Sequence, residues 1–343
     1  MSNKELKKLV NQIEAQVHAA NCSEQIHLAL IKAVDYPQPF AYQHNYHITI
    51  SIVSLLLGGL LLMVPALDVA FLPNWNNPGQ GHWIFVWVGL LACSAFIFYL
   101  VFSRARQLSS LAKMAFFKDA LFDNHIIKKP NPSSREMSRH FAEFLRGNHS
   151  REFREFYAGE YVGSEHNFNF SYFHYHYVDK RIETYVTTDS KGRTTVRTRT
   201  VYDHFDRYGI IVPFSFYQNI QIIGDSLAQL YPEKYFTGSV QFARKFKVRA
   251  GDQFIAAKFL KPAVVVAIED IAQVLGRLNI ELNTTGELCI SFTDDNVLSV
   301  KQRYDLKQPV EFYQELVANT ELRKLQSTLD FIHQLMKHSD SNF

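Results

Sequence analysis

The chain has 343 residues, with 36 Lys and Arg against 33 Asp and Glu and a formal net charge of +3. That balance is too small to imply a nucleic-acid partner, and the three scattered cysteines, Cys22, Cys93 and Cys289, make neither a disulfide framework nor a zinc ribbon. A mean hydropathy of -0.13 leaves most of the chain compatible with water and excludes a transporter body.

Residues 1–34 predict helix. Leu6, Leu9, Val10, Ile13 and Val17 repeat at three- and four-residue steps, and Ile26, Leu30, Ile31 and Val34 continue a stripe behind a Ser23 N-cap. Asp35 to Pro39 ends the segment. Two apolar runs follow, His47 to Leu67 and Trp83 to Phe102, and neither holds an Asp, Glu, Lys or Arg. Each is long enough to cross about 30 Å of hydrocarbon at roughly 1.5 Å per residue. The loop between them, Asp68 to His82, has no Lys or Arg. Lys4, Lys7, Lys8 and Lys32 precede the pair, and Arg104, Arg106, Lys113 and Lys118 follow it. The positive-inside rule then puts both termini in the cytoplasm and the loop outside, with Trp75, Trp83 and Trp87 at the outer interface. Ser54, Gly58 and Gly59 allow a close approach to Gly89, Ala92 and Cys93.

Helix is predicted to continue over 103–127 and to break at Lys128 to Pro132. Ser133 or Ser134 then caps a helix carrying Met137, Phe141, Phe144 and Leu145. From Tyr161 the period becomes two. Phe168, Phe170, Tyr172, Tyr175 and Tyr177 suit a half-buried sheet. Arg181 to Thr188 and Arg193 to Tyr202 flank a Gly-bearing turn, a long hairpin. Tyr208 to Ile223 adds strand, and Val240 to Val248 and Phe254 to Phe259 alternate or run apolar. Pro262 starts a helix, Asn283 to Gly286 turns another hairpin, and one long amphipathic helix from about Pro309 closes the chain. Strands in the middle bracketed by helices read as α+β.

Several of these stretches carry a likeness. They are YAGEYVG at Tyr157 to Gly163 leading into Asn167 to Tyr177; FARKFKV at Phe242 to Val248, then Asp252, Ala256 and Leu260 to Pro262; the helix Ala263 to Leu275; and the hairpin through Ile290 to Phe292. In that order they resemble a bacterial membrane family catalogued as domain of unknown function 3137. The likeness covers about Ala115 to the C-terminus. The family pattern has an acidic residue after the position of Glu160, where this chain has Tyr161. The resemblance implies an inner-membrane protein with a cytosolic domain, and it carries over no catalytic residue.

Three constellations are candidates for chemistry. Gly224-Asp225-Ser226-Leu227 resembles the serine block of GDSL-type hydrolases, and Asp330 and His333 have the spacing of the Asp-x-x-His pair. In that reading Ser226 is the nucleophile, His333 the base and Asp330 its orienter. Against it, the block follows an antiparallel region, and Gly276 to Asn279 is a poor oxyanion substitute. His174 and His176 share one strand face and could ligate one metal; the plainer reading is an aromatic row. Arg193, Arg197 and Arg199 line one face of the hairpin, suited to anionic lipid more than to nucleic acid, or simply to protecting an edge.

The composite expectation is an α+β protein: a two-helix transmembrane hairpin followed by a cytosolic domain with a largely antiparallel sheet bracketed by helices. Its divisions are 1–45 (cytosolic amphipathic helices), 46–103 (the hairpin, spans 47–67 and 83–102) and 104–343. The expected role is a bacterial inner-membrane scaffold or partner-binding protein without catalysis, cofactor or metal. Its expected partners are the lipid bilayer and a protein partner or second copy. The alternative is a membrane-tethered serine hydrolase using Ser226.

Overall fold

The computed structural model describes residues 3–67, 82–188, 190, 192 and 194–340. Trp75, the rest of 68–81, and the turn residues Asp189, Lys191 and Arg193 lie outside the described residues, as do the side chains of Trp83 and Trp87. The chain divides into two compact units, residues 1–119 with 301–319, and residues 120–300 with 320–343. The boundary between these units falls inside a helix, and the segment 301–319 belongs to the first unit.

The first unit is helical. α1 (Asn3–Ala19) buries Leu6, Val10, Ile13 and Val17, and α2 (Ser23–Val34) buries Ile26, Ala29, Leu30 and Ala33. The N-cap of α2 is Cys22, not Ser23, and makes no side-chain cap bond. Gln25 accepts from Asn21 N, one residue ahead of the cap, at 2.7 Å. α3 spans Asn45–Leu67, and α4 runs for 42 residues, His82–Asp123. Beyond its apolar part α4 buries Leu108, Leu111, Ala112 and Ala115, and Gln107 Nε2 donates to Asn11 and Glu14 on α1. Lys118 Nζ donates to the carbonyls of Val17 and His18, closing the C-terminus of α1. Asp119, 1% exposed, meets His27 Nε2 at 3.0 Å.

Among the described residues one helical stretch, Val88–Asp123, is long and apolar enough to cross a membrane; the apolar described stretch of α3, Ile48–Gly59, is shorter. α3 and α4 meet through hydroxyls. Ser51 Oγ lies 2.8 Å from Ser94 Oγ, and both serines are buried. Ser54 and Gly58 are on the same buried face of α3, but Gly89, Ala92 and Cys93 are exposed. The expected Gly89–Ala92–Cys93 contact is replaced by the face bearing Ser94, because a hydroxyl pair needs a partner where a glycine offers none.

The second unit is built on one sheet, all antiparallel, in the order β1-β2-β3-β4-β9-β8-β5-β7-β6. The strands are β1 (Ile127–Lys128), β2 (Ser150–Val162), β3 (Asn167–Thr188), β4 (Thr194–Pro213), β5 (Ile220–Ile223), β6 (Glu233–Tyr235), β7 (Lys247–Ala250), β8 (Asn279–Leu282) and β9 (Glu287–Phe292). α+β with a large antiparallel sheet is therefore the observed class. Register gives the faces different chemistry. On one, Tyr157, Tyr172, Ile210, Ile290, Ile280, Ile222 and Val248 lie opposite one another from β2 to β7. On the other, Cys289, Glu281, Gln221 and Arg249 are in register, with Ser291 opposite Asn279 alongside.

α5 (Ser134–His140) and a 3-10 turn (Ala142–Leu145) lie on the second face, where Phe141 and Phe144 join Phe153, Phe173, Tyr175 and Tyr177 in an aromatic core. The Phe144 ring centroid is 5.0–5.2 Å from those of Phe153, Phe173 and Tyr175. Two stretches that continue the apolar alternation are helical instead: α6 (Val240–Lys245), capped by Ser239, and α7 (Gln253–Phe259), capped by Asp252. In each the cap side chain accepts from a helix amide, and these local bonds override the alternation. α8 (Pro262–Leu275) has Pro at its start and Gly276 after its end at φ +73. The closing helix is broken into α9 (Pro309–Val317) and α10 (Arg323–Ser339). Phe312 and Tyr313 of α9 meet Phe116 and His27 in the first unit, whereas α10 packs on α8.

Gly209 sits where no side chain fits, since a Cβ there would collide with the Ile290 carbonyl and the Phe173 ring. Gly209→Ala is expected to cost about 2–4 kcal/mol, because the obstacle includes backbone. Urea unfolding of the full chain in detergent measures it.

Candidate functional site

A cluster of buried polar side chains in the second unit lies under the 3-10 turn. β4 turns Arg207 onto the second face, where it is 2% exposed, against Glu143 at 1%. Arg207 Nε donates to Glu143 Oε1 at 2.9 Å and Nη2 to Ser291 Oγ at 3.1 Å. Its Nη1 reaches Asp225 Oδ2 and the Arg277 carbonyl, each at 3.3 Å. Asn279 Nδ2 donates to Glu143 Oε2, while its Oδ1 accepts from the amides of Gly224 and Asp225. Arg146 Nε lies 2.6 Å from Glu143. Burial opposes ionisation of Glu143, but the Arg207 and Arg146 charges outweigh it and hold the carboxyl below the usual range.

This network opens on a cavity of about 480 Å³ bordered by Arg146, Arg207, Arg277, Asp225 and Ser226. The Gly224–Leu227 loop is thus pinned by Asn279 beside three arginines. Neither Asp330 nor His333 borders the cavity. Asp330 Oδ1 accepts from Tyr161 Oη at 2.7 Å, and His333 Nε2 accepts from the amides of Glu165 and His166. These contacts lie at the start of β3, and the cavity touches Tyr177, roughly 30 Å along the strand at about 3.3 Å per residue. Ser226, Asp330 and His333 are therefore not brought together, because Asp330 and His333 are half-buried on α10 and are taken up by Tyr161 of β2 and the turn before β3. The Tyr161 hydroxyl is pushed up to about 12, by burial first and then by Asp330.

His174 and His176 do share a face, and both point at Asp206. His174 Nε2 and His176 Nδ1 lie 2.8 and 2.9 Å from the same oxygen, Oδ1. A β-bulge at Arg154 directs a third group there, Nη1 at 3.3 Å. His176 Nε2 meets His204 Nδ1 at 3.2 Å. A carboxylate thus takes the place a shared metal would have between His174 and His176. Among the described residues no group of three or more His, Cys, Asp or Glu side chains forms a metal-holding set. Burial opposes the Asp206 charge, and the two imidazole hydrogen bonds overcome it, lowering its pKa.

β3 and β4 outrun the sheet. β2 stops pairing at Val178 and β9 at Tyr208, while the two long strands stay paired as far as Thr188 and Thr194. The outer part is a two-stranded arm. Of the expected basic face, Arg193 lies outside the described residues, and Arg197 and Arg199 share a side. Arg199 is 2.8 Å from Glu183, and Arg181 meets both Asp203 and Glu183. Acidic partners thus offset much of the charge on that face. Among the described residues the opposite face carries none beyond Lys180 at its base. It presents Ile182, Val186 and Val196, 71%, 61% and 65% exposed, with Tyr202 and threonines.

Sequence reasoning missed Arg207, Glu143, Asn279 and Glu281. The available signal was a polar residue at an inward position of an apolar strand, as in Ile-Gln-Ile-Ile at 220–223 and Asn-Ile-Glu-Leu at 279–282.

Removing one partner of the buried pair strands the other. Arg207→Met is expected to cost about 3–5 kcal/mol, and Arg207→Met with Glu143→Gln less than the sum of the singles; a double-mutant cycle by urea unfolding checks both. Glu281, 2% exposed, accepts from Ala142 N at 2.7 Å, and among the described residues its other oxygen makes no well-formed hydrogen bond. Burial, the largest cause, pushes its carboxyl up to about 7. The folded state thus favours the neutral acid. That contribution is whole below the unfolded carboxyl range near 4.3 and is lost as pH rises through about 7. Glu281→Gln should be more stable than the native chain by about 1–3 kcal/mol at pH 8, with the difference shrinking steadily as pH falls toward about 4, read from urea midpoints.

In comparisons with known proteins, the chain matches no protein-family model, no curated protein and no solved structure.

Proposed function

We propose that this chain is a binding protein without a catalytic role, anchored by α3 and α4 as a two-span hairpin in a bacterial inner membrane with both termini cytoplasmic, and that its arm docks a second copy of the chain. The observation that carries the reading is the arm's uncharged face. Two-stranded ribbons are marginal in water by themselves, and paired strands that expose Ile182, Val186 and Val196 invite another surface. The occupant follows from composition. Val186 lies opposite Val196, Thr184 opposite Thr198 and Thr188 opposite Thr194, so the outer end of this face pairs like residues across the two strands. A face of this kind is complementary to itself and packs across about 10 Å on a second copy.

The anchor is supported by an inverted distribution of polarity. The Ser51 and Ser94 hydroxyls meet between α3 and α4, while Leu56, Phe96, Tyr99 and Phe102 face outward. Helices in lipid are arranged in this way, with small polar residues between them. The charge asymmetry around the runs and the resemblance to domain of unknown function 3137 agree with it.

The test uses the full chain in its membranes, with Cys22→Ser and Cys93→Ser as background. The chain should stay in the membrane pellet after carbonate extraction; release into the supernatant sinks the anchor. Val186→Cys should give a disulfide-linked dimer on mild oxidation, and Arg197→Cys on the other face should not. A monomer throughout, or equal crosslinking from both faces, removes the docking role of the uncharged face.

A further inference from the structure

We propose that the cavity beside Arg146, Arg207 and Arg277 is a binding site for a small organic phosphate, in which the Asp225 carboxylate holds the place of the ligand's anionic group. Four observations carry this.

The first is a cation with spare capacity. The Arg146 side chain, 9% exposed, faces Glu143 and Tyr177, yet among the described residues its Nη2 makes no well-formed hydrogen bond, and Asp225 Oδ2 stands 3.9 Å away. A buried guanidinium left partly unmatched is costly and sits well only if an anion completes it.

The second is the loose fit of Asp225. Three guanidinium groups converge on it, from Arg207 at 3.3 Å, Arg277 at 3.8 Å and Arg146 at 3.9 Å. Tight charge-assisted bonds are about 2.7–2.9 Å. One planar carboxylate on a short side chain cannot reach three forks at once, whereas a tetrahedral oxyanion offers oxygens in three directions.

The third is charge accounting. Glu143 is spent on Arg207, Arg146 and Asn279. Of the other carboxylates at the wall, Asp206 faces both histidines and Arg154, and Asp179 accepts from Asn148 N at 3.0 Å, a neutral donor that leaves its charge in place. Asp225 is the carboxylate that stands among the convergent arginines.

The fourth is size and lining. About 480 Å³ exceeds the need of an inorganic ion and falls in the range of small-molecule sites. Beside the cationic end the wall is apolar, with Leu145, Leu227 and the stacked rings of Tyr177 and Phe205, 5.1 Å apart. A ligand with a phosphate at one end and a flat apolar group at the other matches both halves.

The probes are phenyl phosphate, inorganic phosphate and phenol, titrated calorimetrically into the full chain in detergent. Phenyl phosphate should bind saturably, phosphate more weakly and phenol not at all. Asp225→Asn removes the internal competitor and should tighten phenyl phosphate about tenfold. Arg277→Gln alters a side chain that is 75% exposed, so folding is retained, and should weaken binding about tenfold. No binding in either the native chain or Asp225→Asn overturns the site, as does binding indifferent to Arg277→Gln. Equal affinity for phosphate and phenyl phosphate overturns the organic half and leaves a site for the free ion.

Discussion

A charged pair sealed under a turn, Glu143 with Arg207, holds the second unit in its register. A strand can slip by one residue only by exchanging its two faces. In β4 that exchange would turn Arg207 onto the face that carries Tyr208 and Ile210, and Tyr208 under the 3-10 turn. An unpaired guanidinium in that apolar layer would cost more than the sheet gains from most of its contacts. The pair adds specificity more than stability. Glu143 enters the pair from the turn at Ala142–Leu145, beside Phe141 and Phe144, whose rings meet edge to face 6.1 Å apart.

The same interaction organises its surroundings. Asn279 touches Glu143 with one end and two loop amides with the other, so the Gly224–Ser226 loop takes its position from the buried pair. Gln221 works similarly one strand over, donating to Ala228 O and accepting from Leu230 N. Polar side chains inside the sheet thus shape the loop outside it. Loops fixed from beneath in this way can present a cavity without secondary structure of their own.

Much of the fold was legible because it rests on period and punctuation. The stripes of α1, α2 and α8, the alternation through β3 and the Asn283–Gly286 turn all followed from spacing. α6 and α7 did not, because single cap residues, Ser239 and Asp252, outweighed a strand-like composition over short stretches. The break between α9 and α10 was hidden because Ala318 to Leu322 hold neither Gly nor Pro; the two halves pack in different units, and that is a tertiary fact. The site was less legible still. Ser226 drew attention by its motif, yet the groups that shape its surroundings are Arg207, Glu143 and Asn279, which are scattered in sequence and join only through strand register. His174 and His176 were paired correctly by parity, but their common neighbour Asp206 lies across the hairpin, and Arg154 joins them only by virtue of a bulge.

The return of residues 301–319 to the first unit has a consequence for biosynthesis. The chain emerges from the ribosome in order, and α1, α2 and the apolar runs are complete by about residue 120. Their remaining partner, α9, is made only after the whole sheet. Through most of translation the faces of α2 and α4 that later meet Tyr313 and Phe312 have no cover. A nascent or truncated chain lacking α9 therefore displays an apolar patch that the finished protein hides, a mark by which quality-control proteases can tell one from the other.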